Sequence, residues 1–378
     1  SVEIKSVLTY ETQGKTISVP AGLQAQAYLE GFNLARAYVE VGRFTAQYKD
    51  ASFTLRLRVE DFTRPLVHAA LQLENVTSAV VAEWMDDVPE FTLPELSAVA
   101  DARIDLKAQK ADIQQLSLEL PGLESQFAGE WDYARQQPND FETSFTVDLA
   151  DIAKLVPLWV EEYRLKGEMT GSASQKEGAL TADVVLKNGA GRVPYTGEFT
   201  KVAASFHAQE KAGLTEGSAS GSLSGRLNGD PFNGSLTLTQ LPDEWKADVK
   251  LRAGRVALPP LAQTPPADET LFVADTKLPV AEKAAWPLPP VSVKADIVID
   301  SLDAPYIYGT DLNFQANLTG VTPDLKTTHG ELRLDMGSGE IKDLYRLTNA
   351  NAVTKILFLS VNVVGKVFNT MNVFAVLD

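Results

Sequence analysis

The stretch Phe53-Thr54-Leu55-Arg56-Leu57-Arg58-Val59-Glu60 decides the fold class. Apolar and polar side chains alternate through it without a break. A period of two sends one set to one side of an extended strand and the other set to the opposite side. The same rule returns along the chain. Leu116, Leu118 and Leu120 alternate with Ser117 and Glu119, and Phe145 and Val147 with Thr146 and Asp148. Leu236 and Leu238 alternate with Thr237 and Thr239, and Val249 and Leu251 obey the same spacing. Ile297 with Ile299, Leu312 with Phe314, and Leu332 with Leu334 complete the series. Polar partners on the second face predict antiparallel sheet with one wet side. The expected class is all-β with few short helices: an elongated antiparallel meander forming a curved sheet, a trough or an open sandwich.

The chain has 378 residues, of which 44% are hydrophobic, so it can bury a sizeable core. Its formal net charge of −16 argues against a nucleic-acid partner, because no basic stripe exists to neutralise phosphates. The same charge disfavours unspecific adhesion to anionic membranes. With no cysteine, disulfides, zinc-thiolate sites and thiol catalysis are excluded together. No signal peptide or transmembrane helix opens the sequence. Ser1-Val-Glu-Ile reads as mid-strand and Phe374-Ala-Val-Leu-Asp378 stops in an apolar run, so missing flanks are expected, an N-terminal anchor among them.

A small signature of Gly, Glu and an apolar residue occurs at Gly129-Glu130-Trp131, Gly167-Glu168-Met169, Gly197-Glu198-Phe199, Gly330-Glu331-Leu332 and Gly339-Glu340-Ile341. It reads as a glycine ending a turn, a carboxylate in water and an apolar residue starting the inward face. Leu149 to Val156, stopped by Pro157, predicts a short helix. Residues 78–88 are a second candidate, and residues 20–32 fit helix or strand. Residues 258–290 hold eight prolines, which cannot donate to a ladder, so a connection outside the sheet or along its edge is expected there. The resulting domain reading is a hairpin-built sheet over 1–257, the proline-rich connection, and a meander with an apolar tail over 291–378. From Val353 to Leu377, 16 of 25 residues are apolar. Asn362, Asn369 and Asn372 argue against a spanning helix. Ile356, Leu359, Val363, Val367 and Phe368 fit either a core element or an amphipathic segment facing lipid or a partner.

Catalytic chemistry is sought without success. His68, His207 and His329 are far apart in sequence, and no spacing suggests a zinc site. Gly217-Ser-Ala-Ser-Gly-Ser-Leu-Ser-Gly225 is neither a nucleophile elbow nor a phosphate loop, and reads as a small-residue strand approached closely by other backbone. Asp335-Met-Gly-Ser-Gly-Glu340 lacks the calcium-loop pattern and reads as a hairpin turn. The adjacent acids Asp86-Asp87 and Glu161-Glu162 make no acid/base pair. No enzyme, cofactor or metal is expected.

Several segments resemble the AsmA-like proteins of Gram-negative envelopes. They are Leu271-Phe272 with Asp275 and Leu278-Pro279, then Ala295-Asp-Ile-Val-Ile-Asp300-Ser-Leu302, Asp311-Leu312 and Gly330-Glu-Leu-Arg-Leu334. Gly42-Arg-Phe-Thr-Ala-Gln-Tyr48-Lys-Asp50 is similar to the family's strand motif, and Asp140 to Pro157 to its strand-to-helix element. The pieces cover about half the chain, and the tail after Asp343 departs from the pattern. The resemblance implies an inner-membrane anchor, a periplasmic body, a role in moving envelope lipids, and kinship with bridge-like lipid transfer proteins. It carries no catalytic residues.

Alternation independently supplies an apolar face with something to bury. Its candidate members are Phe53, Leu55, Leu57, Leu118, Phe145, Val147, Leu236, Leu238, Ile297, Ile299, Leu312 and Phe314. In an open trough they would hold acyl chains of a phospholipid or other envelope lipid; in a closed sandwich they would be core. Two further readings compete: a structural or assembly module for envelope proteins, with β edges or the tail as its contact, and a glycan-binding protein with exposed aromatics.

Overall fold

The computed structural model describes residues 2–12, 15–30, 33–83, 88, 90–135, 137–156, 163–193, 197–210, 217–241, 244–257, 291–304, 307–321 and 328–341. Two compact units divide the chain, Ser1–Leu180 and Thr181–Leu377. The first contains β1 (Val2–Thr12), β2 (Lys15–Glu30), β3 (Asn33–Tyr48), β4 (Ala51–Glu60), β5 (Leu66–Thr77), β6 (Thr92–Asp105), β7 (Lys110–Leu120), β8 (Leu123–Asp132), β9 (Gln137–Asp148) and β10 (Lys166–Lys176). Two short helices accompany them, α1 (Ser78–Val81) and α2 (Leu149–Lys154). The second contains β11 (Ala179–Val193), β12 (Gly197–Glu210), β13 (Gly217–Leu227), β14 (Asp230–Gln240), β15 (Trp245–Ala257), β16 (Val291–Ala304), β17 (Ile307–Val321), β18 (His329–Asp335) and β19 (Ser338–Ile341).

The predicted all-β meander is what forms. In the first unit each strand from β1 to β10 pairs antiparallel with the next. Among the described residues, each strand makes its substantial contacts with its ladder neighbours, and α1 and α2 with the strands beside them. Among the described residues no second sheet lies over either face, so the open-sandwich alternative is not realised there within a unit. Among the described residues β1 and β10 share no ladder, and the first unit stays an open sheet. Register shifts between β2 and β3, β3 and β4, β6 and β7, β7 and β8, and β8 and β9 mark bulges. Each extra residue bends its strand and sharpens the local twist, which curves the sheet.

Local chemistry accounts for the turns. Asp148 caps α2 by accepting the backbone N–H groups of Ala150 and Asp151 at 2.8 and 3.1 Å. Lys154 closes the helix as a cation in its last turn, paired with Asp151 at 2.6 Å. The second helical expectation shrinks to α1, four residues long with no side-chain cap. Residues 20–30, ambiguous in sequence, lie in β2, where pairing with β1 and β3 outweighs the helix propensity of Ala and Gln.

Three sequence expectations need correction. The glycine of the repeated signature does not simply end a turn. Gly129 sits inside β8 at a bulge, with φ of 155°. A Cβ there would lie 2.5 Å from the Asp140 carbonyl oxygen and 2.6 Å from the Phe141 Cα. Backbone of β9 occupies the space a side chain would need, so Gly129→Ala is expected to cost about 1–3 kcal/mol. Urea denaturation followed by circular dichroism reads this as an earlier midpoint. Asp335 to Glu340 is not a hairpin either. β18 and β19 both pair with β17, at 313–319 and 307–310 respectively, so the segment is a jog in one interrupted edge strand. The Gly337 N–H donates to Thr310 at 3.0 Å and holds that jog in place. Finally, the ladder is not antiparallel throughout. β15 and β16, which flank the proline-rich stretch, run parallel, with Trp245 opposite Val291 and Ala253 opposite Ile299. Parallel neighbours need a long crossover, and residues 258–290 supply the length. Those residues lie outside the described set, as does the tail with Ile356, Leu359, Val363, Val367 and Phe368. Asp86-Asp87 and Glu161-Glu162 also fall outside it.

Candidate functional site

Register converts the alternating strands into two continuous faces. In the first unit one cross-strand row reads Leu23, Phe44, Leu55, Leu71, Ala98, Leu118, Ser125, Phe145 and Gly171 from β2 to β10. The neighbouring row reads Ala25, Val41, Leu57, Ala69, Ala100, Leu116 and Phe127. Phe53 heads a third row with Leu73 and Leu96, and Val147 pairs with Leu123 and Met169. All six sequence candidates of this unit therefore share one face. Phe44 and Phe53 meet edge to face at 5.8 Å, and Phe127 stacks on Phe141 at 5.9 Å.

The second unit repeats the arrangement. Ala208, Ala219, Leu238, Ala247, Val293 and Leu318 form one row. Phe206, Gly221, Leu236, Val249, Ala295 and Ala316 form the next, and Gly234, Leu251, Ile297, Phe314 and Leu334 a third. Ile299 pairs with Leu312 beside them. The glycines of β13 belong to this face and its serines to the other, which explains the Gly/Ser alternation of 217–225. The Phe206 ring lies 3.6 Å from where a Cβ of Gly221 would stand, and Phe232 lies 2.9 Å from that of Gly225. Aromatic rings of adjacent strands fill the space the glycines leave.

The two faces differ in how far they are sealed. Leu238 is fully buried at 0% exposure, and Ile297, Ile299 and Leu312 are buried around it in neighbouring clusters. Leu236 and Phe314 are half-buried against these clusters. In the first unit Val147 is buried, whereas Phe53, Leu55, Leu57, Leu118 and Phe145 are all half-buried. Leu116 is 39% exposed in the same face. The second unit thus carries a packed apolar core and the first an apolar surface still in contact with solvent.

The opposite face is polar in both units. In the second, Ser218, Ser220, Ser222 and Ser224 of β13 stand beside Thr239, Thr237, Ser235 and Asn233 of β14. His207 Nδ1 is 2.7 Å from the Asp183 carboxylate. In the first, Gln26, Glu40, Arg58, His68, Asp101 and Gln115 form one row across β2 to β7. Gln26 Nε2 donates to Glu40 at 2.7 Å, the Arg58 guanidinium pairs with Glu60 at 2.5 Å, and His68 Nδ1 lies 2.6 Å from Asp101. Tyr28 stacks on Tyr38 at 5.6 Å, and the Arg58 guanidinium lies over the Tyr38 ring. A shallow depression of about 200 Å³ opens among Glu40, Arg56, Arg58, His68 and Asp101. Sequence spacing alone does not reveal this cluster, because Arg56 and Arg58 occupy polar positions of one alternating segment and His68 of another. Only pairing of four strands brings it together.

Carboxylates at the hairpin ends carry the clearest electrostatic signature. Asp105 accepts the backbone N–H of Ala108 at 2.9 Å and of Lys107 at 3.0 Å. The Ala108 bond is the largest influence, and together they hold its carboxyl below the ordinary range. Asp61 is lowered first by the Thr63 hydroxyl, then by the backbone N–H groups of Thr63 and Arg64. A carboxyl lowered on folding stabilises the native state above its unfolded pKa and loses that contribution as pH falls through its folded value. Hydrogen exchange at Lys107 and Ala108 is therefore expected to accelerate when pH drops below about 4, after correction for intrinsic rates. Asp105→Asn keeps an acceptor but has no proton to gain, and should flatten that pH dependence.

Among the described residues no group of three His, Asp or Glu side chains is placed to hold a metal ion. No helix among them is long and apolar enough to cross a membrane. No protein-family model matches the chain, and neither a curated protein nor a solved structure matches it.

Proposed function

We propose that the chain is a non-enzymatic lipid-binding or lipid-transfer protein of the bacterial envelope that holds acyl chains against its apolar sheet face. The observation that carries this reading is the half-exposed apolar face of the first unit, continuous from β2 to β10 and covered by no second layer among the described residues. Monomeric proteins rarely leave so broad an apolar patch open to water, and such patches mark interaction sites. A fully buried methylene gains about 0.8 kcal/mol, so a chain half-sunk against this face gains about 0.4 kcal/mol per methylene. A phospholipid with two chains then binds with useful affinity without any single strong contact. The resemblance to AsmA-like proteins supports the envelope setting, a periplasmic location and an association with the inner membrane. Native mass spectrometry of gently purified protein tests the proposal: bound phospholipid supports it, and protein that stays lipid-free after incubation with phospholipid vesicles overturns it.

One observation favours an assembly role as the second reading. Among the described residues β1 pairs only with β2, and Val2, Ile4, Val7 and Leu8 are all about half exposed along it. An unpaired edge of this kind can accept a strand from a partner. Crosslinking from β1 to an envelope protein would favour it.

A further inference from the structure

We infer that the polar face of the first unit carries a binding site for a single phosphate group, built on Arg43 and Arg56 across the bulge between β3 and β4. Val41 pairs with Leu57 and Phe44 with Leu55, so Gly42 and Arg43 together stand opposite Arg56 alone. Arg43 shares the polar face through its pairing with Gln24, and Arg56 through its pairing with Ala70. Both arginines are exposed. Neither has an ion pair or a side-chain hydrogen bond among the described residues. Like charges brought together across a strand pair destabilise it, and among the described residues no carboxylate pairs with either arginine.

The surroundings separate these two cations from the rest. Arg58 is already committed: its Nε pairs with Glu60 at 2.5 Å, and it lies 5.0 Å from the centre of the Tyr38 ring. Glu40 lies 3.8 Å from the Arg58 guanidinium and accepts from Gln26, and Asp101 is engaged by His68. Each nearby carboxylate therefore has a partner other than Arg43 or Arg56, and these two guanidiniums are left without an ion pair among the described residues. The depression beside Arg56 is lined by the small residues Gly42 and Ala70 and by Val99, which leave room for a compact ligand. Bulges often re-aim side chains next to binding sites.

The ligand class follows from acceptor number. One guanidinium fork already satisfies both oxygens of a carboxylate. Two forks on facing strands call for an ion with three or four terminal oxygens, which a phosphate monoester or inorganic phosphate supplies. Glu40, Glu60 and Asp101 around the site, on a chain of net charge −16, repel an extended polyanion. The site therefore takes one phosphate group and not a nucleic-acid backbone. It lies on the face opposite the proposed acyl-chain surface and does not rest on that proposal.

Isothermal titration of the full chain at constant ionic strength tests it, with two probes: inorganic phosphate, and phosphatidylcholine vesicles doped with phosphatidic acid. The expected result is saturable binding to at least one probe, weakened about tenfold or more in Arg43→Gln and in Arg56→Gln. Arg56→Lys should recover part of the loss, because it restores charge without the fork. Lys250→Gln, on an exposed polar position of β15, should leave binding unchanged. Binding to free phosphate identifies a soluble ligand; binding only to the doped vesicles identifies a lipid headgroup. Thermal melts of the two glutamine variants should stay level or rise, since a repulsion has been removed. Absence of saturable binding to both probes, or binding indifferent to Arg43→Gln and Arg56→Gln, overturns the inference.

Discussion

On the proposed lipid-binding reading, Leu57→Asp should abolish most phospholipid loading while leaving the β-sheet circular dichroism intact. Leu57 stands in the row Val41, Leu57, Ala69, Ala100 and Leu116, near the middle of the open face. It is half-buried, so an aspartate there can keep its charge hydrated at the sheet surface in the lipid-free protein. An acyl chain laid over the same position would strip that water, and a carboxylate deprived of water costs several kcal/mol or takes up a proton. The penalty thus falls mainly on the loaded state. Phe145→Asp, five strands away on the same face, should behave alike. Thr146→Asp adds the same charge one residue on, on the exposed opposite face, and should leave lipid loading unchanged. Quantitative lipid mass spectrometry separates the outcomes. If all three variants retain lipid equally, the face does not hold it; if Leu57→Asp loses its sheet signal, the residue is core.

The contrasting prediction concerns Leu238. It is fully buried, with Ala219 and Ala247 directly across the two adjacent ladders and Val293 beyond. Leu238→Ala should destabilise the second unit by about 2–5 kcal/mol, because small neighbours on both sides cannot close the cavity. Leu238→Asp should remove hydrogen-exchange protection from β13 to β16 altogether. A midpoint shift in the urea unfolding of Leu238→Ala no larger than that of a surface substitution would show that this face, too, is open. The pair of predictions makes the difference between the units measurable: the same sequence pattern is a solvent-exposed surface at Leu57 and a core at Leu238.

The twelve apolar candidates, expected to line an open trough or to form a core, do not share one environment. Phe53, Leu55, Leu57, Leu118 and Phe145 line an open face, whereas Leu238, Ile297, Ile299 and Leu312 are packed into a core. Alternation cannot distinguish these cases, because it reports the direction of a side chain and not what stands above it.

Some of the protein was legible in the residues alone. Period-two spacing sets which side chains share a face along any one strand, since successive Cβ atoms of extended backbone point in opposite directions. The Gly/Ser alternation of β13, the Asp148 cap of α2 and the all-β class follow from rules that act within a few residues. What needed the tertiary structure is everything that depends on pairing. Register decides that Leu55, Leu71, Ala98 and Leu118 form one row, and the bulge at Gly42 and Arg43 decides that two arginines face each other. The parallel pairing of β15 and β16 joins segments separated by the proline-rich stretch. The single layer of the described strands is also a tertiary fact, because whether an apolar face meets another sheet depends on where the chain goes next. Local spacing determines the two faces of each strand; long-range pairing determines which of those faces is left for a ligand.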